Sequence, residues 1–181
     1  TLYDRTPANQ VAERIGDSDA ILLNKVNITE EILSACPRLK YIGVLATGYN
    51  VIDLEACRKR GIIVTNIPKY STDAVAQHVF AYILHFTNMV ASHNESVQKG
   101  DWISCPDFCF WHSPLTELAG KTMGILGYGA IGSKTAKIAE AFGMKVICCT
   151  RTPKDGMPEC VSWDDLLKYS DIISLHAPLT D

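Results

Sequence analysis

Long uninterrupted apolar runs are missing from this sequence of 181 residues. The longest apolar tract, from Ala74 to Ala91, contains Gln77, His78, His85 and Asn88, whereas a membrane span needs about 20 nearly unbroken apolar residues. The tract therefore predicts a buried helix, and we expect no membrane partner.

Basic stretches are missing too. The formal net charge is -3 and the 17 Lys and Arg residues are spread along the chain, so we expect no nucleic acid partner. The N-terminus lacks a basic region followed by an apolar core, which argues against a signal peptide, and it lacks Met, so we expect a trimmed start. A small-molecule partner is the remaining expectation.

The seven cysteines form no CxxC pair and have no His at the spacing of zinc ligands. We therefore expect no metal site. Free thiols that act as small buried hydrophobic groups are typical of a reducing compartment, and we expect a cytoplasmic protein.

Short β-rich runs alternate with helical patterns along nearly the whole chain, which predicts an α/β fold with parallel sheets. Strands are expected at residues 20–23, 41–45, 62–65, 122–126, 145–149 and 171–175. We expect one long helix through Val75 to Val90, with N-cap oxygens from residues 71–73, and then an irregular connection over 100–114.

We place a domain boundary near residues 68–73. Only three strands are predicted after residue 120, whereas a complete Rossmann sheet has about six. The second domain is therefore expected to be truncated at its C-terminus.

A glycine-rich turn follows the strand at 122–126 and opens a helix. In this setting Gly127 permits a tight turn, Gly129 lets the backbone approach a diphosphate, and Gly132 allows the helix to pack closely on the strand. The unpaired amides of Ala130 and Ile131 favour an anion. The alternative is a turn whose glycines serve packing only.

The end of the following strand indicates which coenzyme is bound. Sites that prefer NAD commonly have an acid there, but this chain has Thr150 and Arg151, with Lys154 nearby. These residues favour NADP slightly over NAD, because a cation can hold the 2'-phosphate. Alternatively, Arg151 stacks on the adenine of NAD.

Several segments, in order along the chain, resemble the family of D-isomer-specific 2-hydroxyacid dehydrogenases, and among them the glycerate dehydrogenases, also called hydroxypyruvate reductases. The resemblance is carried by residues 45–53, 70–78, 104–111, 117–132, 141–146 and 174–180.

The resemblance implies two lobes with Rossmann-like or flavodoxin-like sheets, a substrate lobe over residues 1–70 and an NAD(P)-binding lobe over 71–181. It implies that amides in the loop of Ala46, Thr47 and Gly48 bind the substrate carboxylate, although such a loop is otherwise an ordinary connection. It also implies that the coenzyme contacts Val75, His176, Ala177, Pro178 and Thr180.

The implied reaction is hydride transfer between NAD(P)H and a small 2-keto acid, of the hydroxypyruvate or glyoxylate type, to give a D-2-hydroxy acid. The catalytic Arg, acid and His of the family are expected beyond residue 181, so His176 is interpreted as structural. Alternatives are an NAD(H)-sensing corepressor-like protein and a phosphite or formate dehydrogenase. The family resemblance further implies a homodimer, with the helix from Ala74 as a candidate contact.

Overall fold

The computed structural model describes residues 1–177, which form two compact units that divide between Tyr70 and Ser71. The first unit alternates helices with strands, in the order α1 (Val11–Ile15), β1 (Ala20–Leu23), α2 (Glu30–Ala35), β2 (Tyr41–Val44), α3 (Leu54–Lys59) and β3 (Ile63–Asn66). The strands are parallel and lie in the order β1-β2-β3. Ile42 and Val44 of the central strand are completely or almost completely buried, so β2 forms the centre of this unit's core.

The second unit starts with three helices and continues as a helix-covered sheet. Its elements are α4 (Thr72–Asn88), α5 (Val90–Lys99), α6 (Asp101–Ser104), β4 (Thr122–Leu126), α7 (Ala130–Ala141), β5 (Lys145–Cys149), β6 (Glu159–Cys160), α8 (Trp163–Tyr169) and β7 (Ile172–Leu175). The strands are parallel in the order β6-β5-β4-β7. This is the order 3-2-1-4 with which a Rossmann sheet begins, and the predicted α/β class with parallel sheets is confirmed.

The core of the second unit lies between the sheet and α7. Met123 and Ile125 of β4 and Ala136 and Ala139 of α7 are fully buried. The small side chains on α7 let this helix lie close to β4.

The predicted single buried helix from Val75 to Val90 is wrong in two respects. The helix ends at Asn88, because Met89 takes a left-handed conformation (φ 49°) and donates its N–H to the carbonyl of His85, closing the last turn. Moreover, Tyr82, Phe86 and Val90 are 58%, 75% and 61% exposed, because only the stripe that contains Phe80 packs against the core. Among the described residues, no helix is long and apolar enough to span a bilayer.

The helix caps differ in how well the sequence predicted them. Ser71 is the N-cap of α4, but its side chain forms no capping hydrogen bond. At α8, the backbone N–H of Asp165 donates to Ser162 Oγ at 3.1 Å, and that hydroxyl donates to the Asp165 carboxylate at 2.8 Å. The predicted start of α8 is therefore confirmed.

Two further predictions need correction. The described residues contain a fourth strand after residue 120, β6, whose two residues are too few for a periodic pattern and are defined by pairing with β5. The connection over 100–114 begins with the short helix α6 and is irregular only after it.

The cysteines are less buried than predicted. All seven are free thiols, but only Cys36, Cys57 and Cys148 are buried, whereas Cys109 and Cys160 are exposed. The expectation that the free cysteines are buried is confirmed for Cys36, Cys57 and Cys148 and wrong for Cys109 and Cys160, because composition gives no information on which face of an edge strand or a loop a residue occupies.

Candidate functional site

The glycine-rich turn lies at the carboxyl end of the sheet, where β4 and β7 are neighbours. In the Rossmann order this is the point at which the strand order reverses, and such points form ligand crevices. Gly127 has a positive φ of 87°, and a Cβ built on it would lie 2.8 Å from the carbonyl oxygen of His176 and 2.7 Å from the amide nitrogen of Ala177. Only glycine allows the ends of the two strands to come this close.

Gly132 brings the helix against the same turn. A Cβ at this position would lie 2.2 Å from the carbonyl oxygen of Gly127, so α7 begins in direct backbone contact with the turn. The roles that the sequence assigned to Gly127 and Gly132, a tight turn and close packing, agree with these contacts.

Gly129 differs from both because the space next to it is open. It is the N-cap of α7, its backbone is extended (φ -85°), and a Cβ built on it meets nothing within 4 Å. The first amides of a helix have no intrahelical partner, and a glycine N-cap has no side chain that could accept from them. Ala130 and Ile131 therefore present N–H groups beside an open backbone surface, a geometry that fits a diphosphate.

Some of the other residues predicted to bind the coenzyme lie at the same edge of the sheet. Thr150 and Arg151 follow β5 directly, and the N–H of Gly127 donates to the carbonyl of Cys149 at 2.9 Å, so the ends of β4 and β5 are adjacent. Arg151 is exposed and forms no ion pair with a residue in the 1–177 range. Pro178 and Thr180 lie outside the described residues.

His176 follows β7 and is half-buried. A hydrogen bond of 2.9 Å joins its Nε2 to the hydroxyl of Ser174, and burial lowers the pKa of the imidazole, which favours its neutral form. This environment agrees with a structural interpretation of His176.

Val75 lies in the first turn of α4 and is half-buried. An ion pair of 2.8 Å between Asp73 and Lys134 joins this turn to α7, and because the side chains are 81% and 45% exposed, the pair contributes little stability. Within residues 1–177 no hydrogen bond joins Val75 to the glycine turn, and its contact with the nicotinamide stays a prediction.

In the first unit, hydrogen bonds to the end of β3 fix the loop after β2. Ile67 N–H donates to the carbonyl of Ala46 at 3.1 Å, Asn66 Nδ2 donates to the carbonyl of Thr47 at 2.8 Å, and the Thr47 hydroxyl donates to the carbonyl of Ile67 at 3.0 Å. Because the C=O and N–H of a trans peptide point in opposite directions, the amides of Thr47 and Gly48 point away from residues 66–67. Both residues are exposed, and neither amide has a backbone acceptor among the residues described.

Sequence reasoning missed Asn66. The sequence contained a feature that could have identified it, because Asn66 is the last residue of β3 and the ends of neighbouring parallel strands meet at one edge of a sheet. An amide side chain at that edge can donate to the loop that follows the next strand.

The architecture of the second unit is that of a Rossmann-type α/β domain. The family model of the D-isomer specific 2-hydroxyacid dehydrogenases, described as their catalytic domain, matches residues 1–159. This chain therefore belongs to the D-isomer specific 2-hydroxyacid dehydrogenase family, and the predicted resemblance is confirmed.

Comparisons with individual proteins agree with this family assignment. The hydroxypyruvate reductase of Blautia hydrogenotrophica is 46% identical over 185 residues, which cover 98% of this chain and 58% of that protein. The structure of an acyclic imino acid reductase in complex with NADPH and D-Arg has a TM-score of 0.84 at 34% identity, covering 99% of this chain and 57% of that one. The D-lactate dehydrogenase of Aquifex aeolicus, complexed with NAD and lactic acid, has a TM-score of 0.79 at 38% identity, covering 97% and 52%. The chain thus spans little more than half the length of these relatives.

Proposed function

We propose that the protein containing this chain is an NAD(P)-dependent oxidoreductase that reduces a small 2-keto acid, of the hydroxypyruvate or glyoxylate type, to a D-2-hydroxy acid. The observation that supports this most directly is the convergence of Gly127, Gly132 and the end of β7 at the carboxyl edge of the sheet. Residues 71–181 form the coenzyme lobe in this proposal, and residues 1–70 form the substrate lobe.

The coenzyme is held in this proposal by the turn and the strand ends around it. The amides of Ala130 and Ile131 donate to the diphosphate, which reaches them because Gly129 leaves the backbone open. When bound, the reduced nicotinamide supplies a hydride. In this proposal Val75, His176 and Ala177 line the nicotinamide site, and the family resemblance also assigns to it Pro178 and Thr180, which lie outside the described residues.

NADP is slightly favoured over NAD. A carboxylate at the end of β5 would repel a 2'-phosphate, but this chain has Thr150 there. Arg151 follows it and is exposed, so its guanidinium can form a charge-assisted hydrogen bond with that phosphate. One relative binds NADPH and another binds NAD, so the family uses both coenzymes. Michaelis constants measured with NADH and NADPH decide the point, and a clear preference for NADH would support stacking of Arg151 on adenine instead.

The substrate carboxylate binds the amides of Thr47 and Gly48 in this proposal. Two N–H groups that point the same way from an exposed loop offer a carboxylate two donors, and the hydrogen bonds from residues 66–67 hold them in position before the substrate arrives. No residue of this chain is assigned as catalytic. The family's Arg, acid and His are expected beyond residue 181, and the 181 residues alone are expected to be inactive.

The experiment uses the full-length protein that contains this chain. Oxidation of NADH and NADPH is followed by absorbance with hydroxypyruvate, glyoxylate and a panel of other small 2-keto acids, and coenzyme binding is measured separately by calorimetry. Turnover with hydroxypyruvate or glyoxylate is expected. Coenzyme binding without turnover on any 2-keto acid would contradict the enzyme assignment and favour the corepressor-like alternative.

The proposal includes a homodimer. Tyr82 and Phe86 are exposed apolar side chains one turn apart on α4, Val90 is exposed at the start of α5, and a second copy of the chain would cover them. Sedimentation of the full-length protein as a dimer is expected. Sedimentation of F86E as a dimer, with unchanged affinity between copies, would exclude this face as the contact.

A further inference from the structure

Two thiols lie in contact beside the candidate coenzyme site. Cys148 Sγ and Cys160 Sγ are 3.2 Å apart, and both face the carbonyl oxygen of Pro158. The two cysteines are register partners on the neighbouring parallel strands β5 and β6, so their side chains are on the same face of the sheet.

The backbone geometry permits a bridge. Neighbouring strands lie about 4.8 Å apart, which falls within the separation of about 4.4–6.8 Å that disulfides span between Cα atoms. A small movement of the edge strand β6 would bring the sulfurs from contact to bonding distance, and β6 has only two paired residues to move.

The two thiols differ in access. Cys160 is exposed on the edge strand, whereas Cys148 is fully buried and burial raises its pKa to about 12. An oxidant in solution therefore reacts first with Cys160, and Cys148 is placed to resolve the product.

We propose that Cys148 and Cys160 form a reversible dithiol–disulfide pair that ties β6 to β5 and closes the loop of residues 149–159. The thiolate of Cys160 attacks a low-molecular-weight disulfide such as glutathione disulfide, and one glutathione leaves. Cys148 then loses its proton and attacks the Cys160 sulfur of the mixed disulfide, releasing the second glutathione. Two thiols are oxidised to one disulfide, and one glutathione disulfide is reduced to two thiols.

The closed loop carries Thr150 and Arg151, the residues that the coenzyme proposal places near the ribose. The disulfide itself does not depend on that proposal. Its formation concerns two thiols and an external disulfide, so it can be tested whether or not the protein binds a nucleotide.

The test is peptide mapping of the full-length protein. Native protein is incubated with glutathione disulfide, remaining thiols are alkylated, and trypsin digestion follows. Cleavage after Lys145, Arg151, Lys154 and Lys168 places Cys148 in peptide 146–151 and Cys160 in peptide 155–168. The expected product is the two peptides joined, with a mass about 2 Da below their sum, and separated by a reductant.

Three variants identify the sulfurs. C160S should lose the linked pair, C148S should lose it as well, and C149S should retain it, since Cys149 shares the tryptic peptide with Cys148. Circular dichroism of C160S checks the fold, which the loss of an exposed side chain is expected to leave intact. The proposal is overturned if wild-type protein carries glutathione on Cys160 without forming the linked pair, or if the linked pair persists in C148S.

Discussion

Replacing Gly129 by alanine is expected to weaken coenzyme binding while leaving the fold intact. The backbone φ of -85° suits alanine, and the new Cβ meets nothing within 4 Å. Alanine is a poorer N-cap than glycine by about 0.5 kcal/mol. It also restricts the unfolded chain, which stabilises by about 0.4–1 kcal/mol, so the free energy of unfolding should stay within about 0.5 kcal/mol of wild type.

The same methyl group would stand where the proposed diphosphate site meets the helix. Hydrogen bonds to a charged group contribute about 1.5–3 kcal/mol each, and about 1.4 kcal/mol corresponds to a tenfold change in affinity. Loss of one such bond predicts coenzyme binding weakened about tenfold to about hundredfold.

Gly132→Ala provides the contrast. Its Cβ would lie 2.2 Å from the Gly127 carbonyl oxygen, about 1 Å short of ordinary contact, and neither backbone can rotate away. The higher helix propensity of alanine stabilises the folded state by about 1 kcal/mol, whereas overpacking destabilises it by about 1–3 kcal/mol. G132A should therefore lose stability as well as coenzyme affinity.

Both variants are measured in the full-length protein by urea denaturation and by calorimetry with NADH and NADPH. Lys137→Ala, an exposed change on the same helix, is the control and should affect neither quantity. The proposed role of the turn is refuted if G129A binds both coenzymes as tightly as wild type. Loss of stability in G129A equal to that in G132A would refute the packing argument.

Three other predictions concern Asn66, Arg151 and His176. Asn66→Ala removes the donor that fixes the Thr47–Gly48 peptide, so KM for the keto acid should rise about tenfold. The change in kcat should be smaller, and coenzyme affinity should not change. An unchanged KM would contradict the positioning role of Asn66. Arg151→Ala should weaken NADPH binding by about tenfold or more and leave NADH binding nearly unchanged, and equal losses for both coenzymes, measured by calorimetry, would support stacking on adenine. Burial lowers the pKa of His176 below 6.5, so between the two pKa values the unfolded chain binds more protons than the folded chain, and the free energy of unfolding should fall as pH drops below 6.5. In urea denaturation H176Q should show a weaker decline with falling pH. An identical decline in H176Q and wild type would show that His176 does not cause it.

The sequence alone determined the features that depend on local patterns. The strand, glycine turn and helix at residues 122–141 are contiguous, and their apolar periodicity and glycine spacing are sufficient to predict both the element order and the candidate anion site. The capped start of α8 is predicted for the same reason, because Ser162 and Asp165 satisfy each other within one turn.

Tertiary structure decided whatever depends on a partner distant in the chain. Two residues form the strand β6 only because β5 offers them hydrogen bonds, and the same pairing brings Cys148 to Cys160 across a loop. Asn66 acquires a role because parallel strands bring the ends of β2 and β3 together. An apolar helix pattern likewise cannot specify which stripe will be covered, so the exposure of Phe86 on α4 became visible only when the position of α7 was known.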